Sequence, residues 1–124
     1  MAPLISVIDD DDSVRESLES LIRSVGFAAK VFASAEEFLN SGYHRKTDCL
    51  VLDVRMPGMS GIELHRHLAA SGSRVPVIFI TSHGYDDDAR SQALSDGVVA
   101  YLTKPFSQDE LLQAVRAGLK SNSS

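Results

Sequence analysis

Five short apolar runs alternate with segments of helical periodicity, and this alternation restricts the fold more than any other feature of the chain. Each run is too short for a helix and rich in branched residues, so each is predicted to be a strand. The predicted strands are Leu4–Ile8, Ala28–Phe32, Cys49–Val54, Val75–Ile80 and Val98–Thr103. Strands that alternate with helices predict a three-layer α/β domain with a parallel sheet and right-handed crossovers.

Five such strands fit the flavodoxin-like (CheY-like) order 2-1-3-4-5, with helices on both faces of the sheet. The third run is apolar at nearly every position, which is typical of a central strand that is buried on both sides. In this order strands one and three are neighbours, and ligands bind beyond the carboxyl ends of the strands. The residues that follow each strand are therefore the candidates for a functional site.

Capping residues and glycines mark where the helices begin and end. Asp11 or Asp12 is expected to N-cap the first helix, and Gly26 to end it. The segment Ser34 to Glu37 is interpreted as a capping box. The other helices are predicted at Ile62–Ala70, about Asp87–Ser95 with the acidic run 86–88 at its start, and from a Ser107 cap to Leu119. Residues 1–119 are expected to form one domain, and the polar residues 120–124 are expected to fray or to begin a linker.

The composition excludes several classes of protein. The chain has 124 residues, of which 44% are hydrophobic and 23% charged, with a formal net charge of -5. This acidic balance argues against direct nucleic-acid binding by the domain, because phosphate contacts need clustered lysine and arginine. Cys49 lies inside an apolar run and is interpreted as a small buried hydrophobic residue. No apolar stretch is long enough to span a membrane and no signal peptide is recognisable, so we expect a cytoplasmic, soluble protein with no membrane partner.

Polar side chains follow four of the predicted strands. Strand one is followed by Asp9 and Asp10, strand three ends near Asp53, strand four leads to Thr81 and Ser82, and strand five to Lys104. Three carboxylates at one point are costly without a cation, and a site of oxygen ligands suits Mg²⁺. The simpler alternative, that the run from Asp9 to Asp12 only caps and solvates a helix, leaves the other polar strand ends unexplained.

Asp53 is the candidate nucleophile. A carboxylate at the end of a continuously apolar strand packs poorly, and beside a metal and a lysine it could attack phosphorus to give an aspartyl phosphate. Mg²⁺ and Lys104 would neutralise the phosphoryl oxygens, and the Thr81 hydroxyl would donate a hydrogen bond to one of them. A threonine in this position could equally cap the strand end.

Four motifs, in order and at the expected spacing, resemble the receiver domain of bacterial two-component response regulators. They are VIDDD (7–11), LVLDVRMPGMSG (50–61), VIFITS (77–82) and YLTKPF (101–106). The resemblance extends from Leu4 to about Leu119. The segments SVRESL (13–18), SAEEFL (34–39) and TSHG (81–84) are most similar to the FixJ-like branch of that family.

The resemblance implies a role for each of these residues. Asp53 would accept a phosphoryl group from a sensor histidine kinase or a phosphotransfer protein. Asp10 and Asp53 would ligate Mg²⁺ directly, Asp9 through water, and Arg55 through its backbone carbonyl. Further implied roles are phosphoryl binding by Thr81, Ser82 and Lys104, switching by Thr81 and Tyr101, and a cis Lys104–Pro105 peptide.

The resemblance also implies partners. Phosphorylation would remodel the face made by the fourth helix, the fifth strand and the fifth helix, and a homodimer could form there. FixJ-like regulators usually carry a DNA-binding output domain, which would lie outside this chain and regulate transcription. A stand-alone phosphate shuttle is the rival interpretation.

Two other functions fit the fold. A Mg²⁺-dependent phosphatase with an aspartate nucleophile would carry a second aspartate two residues after Asp53, where this chain has Arg55, which cannot act as an acid or base. A flavodoxin is disfavoured because the acidic loop from Asp9 would repel a flavin phosphate. His65 and His67 are two residues apart on a helix, so they form a poor metal pair and are expected on the solvated surface.

Overall fold

A parallel five-stranded sheet lies at the centre of the protein, with helices on both of its faces. The structure, a computed structural model, describes residues 2–82 and 87–122. The strands follow the order β2-β1-β3-β4-β5. Their bounds are β1 (Leu4–Ile8), β2 (Ala28–Phe32), β3 (Cys49–Asp53), β4 (Val77–Thr81) and β5 (Ala100–Thr103). Every neighbouring pair is parallel. The predicted fold class and strand order are confirmed.

Helices cover both faces of this sheet. They are α1 (Asp12–Ser24), α2 (Ala35–Ser41), α3 (Gly61–Ala70), α4 (Asp87–Ser95) and α5 (Gln108–Asn122), and a short 3₁₀ turn at Tyr43–Arg45 was not predicted. The last helix, α5, extends to Asn122, two residues beyond Lys120, from which the sequence predicts a frayed end or the start of a linker. Asp86, the first residue of the acidic run, and the last two residues of TSHG (81–84) lie outside the described residues.

The caps agree with the sequence in most details. Asp11, rather than Asp12, is the N-cap of α1, and its carboxylate accepts hydrogen bonds from the backbone N–H groups of residues 13 and 14. Ser34 caps α2, but Glu37 accepts from Ala33 N instead of closing the capping box on the N-cap residue. Ser107 exchanges reciprocal hydrogen bonds with the third residue beyond it, as a capping box requires.

Two strands begin two residues later than the sequence predicted. Pro76 precedes β4 because it has no N–H to give to the ladder, although its carbonyl accepts from Leu50 N at 2.9 Å. Val98 donates instead to the Ala93 carbonyl at 3.1 Å and so closes the end of α4, which leaves β5 to begin at residue 100.

The core consists of one apolar cluster on each face of the sheet. Side chains of β3 alternate between the two, with Leu50 and Leu52 packed under α2 and α3, and Cys49 and Val51 packed under α1 and α5. All five residues of β3 are buried, as predicted for a central strand. Burial raises the pKa of the Cys49 thiol to about 12, so this side chain acts as an apolar packing group.

Candidate functional site

Three aspartates meet at the carboxyl edge of the sheet. Asp9 follows β1 directly and is fully buried, Asp53 is the last residue of β3 and is 5% exposed, and Asp10 faces the solvent. One carboxylate oxygen from each of the three lies within 4.8 Å of the others. The arrangement follows from the topology, because β1 and β3 are paired neighbours whose ends must lie side by side.

A lysine that follows the edge strand β5 reaches these acids. Lys104 follows β5, and its Nζ lies 2.8 Å from Asp9 Oδ2 and 3.9 Å from Asp53 Oδ2. The Lys104 backbone N–H donates to the Thr81 carbonyl at 2.7 Å, and the Lys104–Pro105 peptide is cis, as predicted. The positive charge of Lys104 therefore lies beside a cluster of three carboxyl groups and cannot neutralise all of them.

The four consecutive aspartates of the sequence have different surroundings. Asp9 Oδ1 accepts from Asp11 N at 2.9 Å while its Oδ2 accepts from the lysine, so both of its carboxylate oxygens are engaged. Asp10 has an exposed side chain in the acidic cluster. Asp11 caps α1, and Asp12 forms an ion pair with Arg15 in the first turn of that helix.

The electrostatics of Asp53 reflect this excess of negative charge. Burial, and then the neighbouring Asp9 carboxylate, raise the pKa of Asp53 from its ordinary 3.8 to about 7. Lys104 and a hydrogen bond from the Arg55 backbone N–H act in the opposite direction but do not outweigh them. Carboxylate oxygens at this spacing, crowded enough to resist ionisation, fit a small divalent cation that prefers oxygen ligands.

The loop of residues 54–60, which leads from β3 to α3, lies against the phosphoacceptor candidate. Its first residue, Val54, donates to the Ile80 carbonyl and accepts from Gly61 N, both at 3.0 Å. A Cβ on Gly61 would lie 2.2 Å from the Asp53 carbonyl oxygen, so only glycine permits this closure. The loop carries Arg55, whose side chain is exposed.

The remaining predicted residues lie on β4 and β5 or follow them. Thr81 ends β4, is 2% exposed and pairs with Thr103 across the ladder, whereas Ser82 is exposed. Tyr101, which is 8% exposed, packs edge-to-face against Phe79 with ring centroids 6.2 Å apart. The structure thus brings the three acids together, places Lys104 against Asp9 and Asp53, and places Thr81 at the same edge, with Tyr101 two residues before the end of β5.

One prediction about the histidines is wrong. His65 does not lie on the solvated surface: its ring is half-buried and packs edge-to-face on Phe79 at 5.7 Å, and burial lowers its pKa. His67 is exposed, as predicted. The sequence carried a signal for His65, because it continues the stripe formed with Gly61, Leu64 and Leu68 at i, i+3, i+4 and i+7.

Arg15 is a residue of the site that the sequence analysis missed. Its Nη1 donates to the Asp9 carbonyl at 2.7 Å from one turn into α1, and its side chain is only 17% exposed. It therefore fixes the backbone of the β1–α1 loop that presents the acids. The signal was the arginine that follows the acidic run one helical turn later, in SVRESL.

Comparison with known proteins identifies the class. Residues 5–116 match the family model of the response regulator receiver domain, and the chain belongs to this family. It is 46% identical over 119 residues to the response regulator protein TodT of Pseudomonas putida, covering 96% of this chain and 52% of TodT. It is 45% identical over 115 residues to the transcriptional regulatory protein FixJ of Azorhizobium caulinodans, covering 93% of this chain and 54% of FixJ.

A solved structure gives the same result. The response regulator StyR superposes with a TM-score of 0.90 at 44% identity, covering 99% of this chain and 62% of StyR. These relatives support the predicted FixJ-like branch, and the chain spans about half the length of the curated relatives it matches. None of the described helices combines the length and the apolar character needed to cross a bilayer.

Proposed function

We propose that this chain is a phosphoacceptor switch in which Asp53 receives a phosphoryl group. The observation that carries the proposal is the meeting of three carboxylates within 4.8 Å, one of them at the end of a buried strand, with Lys104 3.9 Å from it. In the reaction an Asp53 oxygen attacks phosphorus, an O–P bond forms, and the bond from phosphorus to the donor's histidine nitrogen breaks. The donor would be a sensor histidine kinase or a phosphotransfer protein.

The acidic cluster could bind Mg²⁺. Asp10 and Asp53 would each offer a carboxylate oxygen, and the Arg55 backbone carbonyl could add another. Asp9, whose two carboxylate oxygens are both hydrogen-bonded, would act through water. Bound Mg²⁺ would neutralise charge on Asp53 and on the incoming phosphoryl oxygens. It would also return the Asp53 carboxyl to its ionised form, which is the nucleophile.

Phosphorylation would then be sensed by the groups nearest Asp53. Lys104 would exchange part of its contact with Asp9 for a phosphoryl oxygen, and Thr81 and Ser82 would donate hydroxyl hydrogens to the others. Movement of Thr81 would release the packing of Tyr101 on Phe79, and the face made by α4, β5 and α5 would change. That face would control an output domain, outside this chain, that regulates transcription, and could pair two copies of the receiver in a cytoplasmic dimer.

The phosphatase alternative receives no support. The matched proteins are response regulators, and the position two residues after Asp53 is the exposed Arg55, which supplies no acid or base. Turnover of the aspartyl phosphate should therefore be slow, and the domain would act as a switch rather than as an enzyme.

The test is intact-mass measurement after incubation with Mg²⁺ and acetyl phosphate. The wild-type chain should gain one phosphoryl group, and Asp53→Asn should gain none. Labelling that persists in Asp53→Asn would move the site elsewhere. Rapid consumption of the donor without any labelled protein would replace the switch with a phosphatase.

A further inference from the structure

A contact from α2 reaches the loop that follows the phosphoacceptor strand. Glu36, in the first turn of α2, accepts a hydrogen bond at Oε2 from the backbone N–H of Met59 at 3.0 Å, across 23 residues of sequence. The same oxygen lies 2.6 Å from the place where a Cβ on Gly58 would stand, and Gly58 has a φ of +77°. The loop backbone therefore approaches the Glu36 carboxylate as closely as a glycine allows.

The loop of residues 54–60 shapes the site at its other end. It carries Arg55, whose N–H is hydrogen-bonded to the Asp53 carboxylate and whose carbonyl is a proposed cation ligand. Both ends of the loop are fixed, by Val54 pairing with β4 and by Ser60 capping α3. Between these two ends, the hydrogen bond from Met59 to Glu36 connects the loop to α2, a different helix.

The chemistry of the contact favours a defined geometry. An ionised carboxylate that accepts from a backbone N–H forms a charge-assisted hydrogen bond, which is shorter and stronger than a neutral one. The Met59 hydrogen bond lowers the pKa of Glu36, so the carboxylate stays ionised over a wider range of pH. A negative charge in the first turn of α2 also suits the helix dipole.

We infer that Glu36 is a positioning residue for the phosphoacceptor site, acting through Met59 on the loop that carries Arg55. The expected effect of Glu36 on phosphorylation rests on the proposed function. Its expected effects on the loop and on cation binding do not depend on that function. Groups that orient metal ligands from outside the coordination sphere typically change metal affinity by about 10-fold or more when they are removed. Glu36 contacts Met59 and not the proposed ligand Arg55 itself, so removal of its carboxylate is expected to lower the Mg²⁺ affinity by a smaller factor, roughly 3- to 10-fold.

The neighbouring residue provides a matched control. Glu37 is also exposed and lies in the same helical turn, but its carboxylate accepts from Ala33 N at 3.1 Å, at the start of its own helix. Glu37→Ala therefore removes a similar contact from α2 without touching the loop. Glu36→Gln keeps an acceptor oxygen for Met59 and is the conservative variant.

The experiment is a calorimetric titration of the 124-residue chain with Mg²⁺ alone. Glu36→Ala should bind about 3- to 10-fold more weakly than wild type, Glu37→Ala within about twofold of it, and Glu36→Gln should recover most of the loss. The Met59 amide proton should follow the titration of the Glu36 carboxyl in wild type and lose that response in Glu36→Gln. Unchanged Mg²⁺ binding in Glu36→Ala, or an equal loss in Glu37→Ala, would overturn the inference.

Phosphorylation by acetyl phosphate separates this inference from the proposed function. In Glu36→Ala the Mg²⁺ concentration for half-maximal labelling should rise, while the rate at saturating Mg²⁺ stays within about twofold of wild type. A fall in the saturating rate with no change in the Mg²⁺ requirement would contradict positioning. If wild type is never labelled but Glu36→Ala still binds Mg²⁺ more weakly, the proposed function fails and the positioning role of Glu36 is retained.

Discussion

Lys104 Nζ donates a hydrogen bond to Asp9 Oδ2 at 2.8 Å, although the two residues follow strands β5 and β1, which are separated in the sheet by β4 and β3. The lysine thus spans the carboxyl edge and passes within 3.9 Å of Asp53 on the way. Because the Asp9 side chain is only 1% exposed, water gives its carboxylate little compensation, and Lys104 supplies the opposite charge.

Lys104→Ala should therefore destabilise the protein when no cation is present. A buried carboxylate would lose its cationic partner, at a cost of about 2 to 4 kcal/mol in the free energy of unfolding. Chemical denaturation at pH 7.5 measures the effect, and Mg²⁺ should restore part of the loss. Arg116→Ala, which removes an exposed positive charge from α5, should change the stability by less than about 0.5 kcal/mol.

The same variant tests the switch. Lys104→Ala should still accept a phosphoryl group on Asp53, more slowly, but the amide resonances of β5 and α5 should no longer shift upon phosphorylation. Two-dimensional NMR before and after addition of acetyl phosphate measures this. A shift pattern identical to that of wild type would remove Lys104 from the coupling mechanism.

The ionisation of Asp53 should make stability depend on pH. The pKa of this carboxyl is raised from 3.8 in the unfolded chain to about 7 in the folded protein, so between these values the folded state binds more protons. The contribution of Asp53 to stability is thus fully present below about pH 4 and is lost as the pH rises towards 7. At pH 8 without Mg²⁺, Asp53→Asn should be more stable than wild type by on the order of 2 kcal/mol.

Denaturant titrations between pH 5 and pH 8, with and without Mg²⁺, check this prediction. Mg²⁺ should stabilise wild type at pH 8 and so reduce the difference between its stability at pH 5 and its stability at pH 8. It should stabilise Asp53→Asn much less. An Asp53→Asn variant that is less stable than wild type at every pH would show that the buried carboxylate is already compensated by Lys104.

The sequence was sufficient for the sheet and for the acidic site because both depend on short-range signals and one topological rule. Asp9 and Lys104 each follow an apolar run and Asp53 lies at the end of one, and once the strand order is known their meeting is a consequence of parallel pairing. The contact of Glu36 with Met59 could not be found in this way. It depends on where the first turn of α2 lies relative to a loop 23 residues away, which no periodicity encodes.

His65 shows a different limit of sequence reasoning. Two histidines two residues apart do point to different faces of a helix, but that argument does not say which of them faces inward. The neighbours of His65 decide it, since Phe79 on β4 packs against the ring and Asp96, beyond α4, acts on its charge. The buried face of a helix is predicted from the spacing of its apolar residues. Because histidine is not counted among them, a histidine on the buried face is easily predicted to be exposed.

His65 should contribute a second, opposite dependence of stability on pH. Burial lowers its pKa below the ordinary 6.5, Asp96 partly opposes this, and Arg66 adds to it. The unfolded chain therefore binds a proton more readily, and the contribution is present above pH 6.5 and lost as the pH falls through the folded pKa. The difference in stability between wild type and His65→Gln should therefore shrink as the pH falls below 6.5.

Thermal unfolding in a series of buffers measures this effect, and the Cε1 proton resonance of His65 gives its pKa directly. This pKa should lie below the ordinary 6.5. A His65 pKa at or above 6.5 would show that the ring is not held against Phe79 in solution.

Gly61 should be the glycine of the site that tolerates substitution least. A Cβ there would stand 2.2 Å from the Asp53 carbonyl oxygen and 3.1 Å from the Val54 Cα, and neither backbone atom can yield without displacing Asp53. Gly61→Ala should cost about 2 to 3 kcal/mol in stability, through overpacking, and should lower the rate of labelling by acetyl phosphate. Gly72→Ala, which meets no atom within 4 Å but has a φ of +88°, should cost only about 1 kcal/mol and leave labelling unchanged. A Gly61→Ala variant that is labelled at the wild-type rate would show that the loop of residues 54–60 can move without disturbing Asp53.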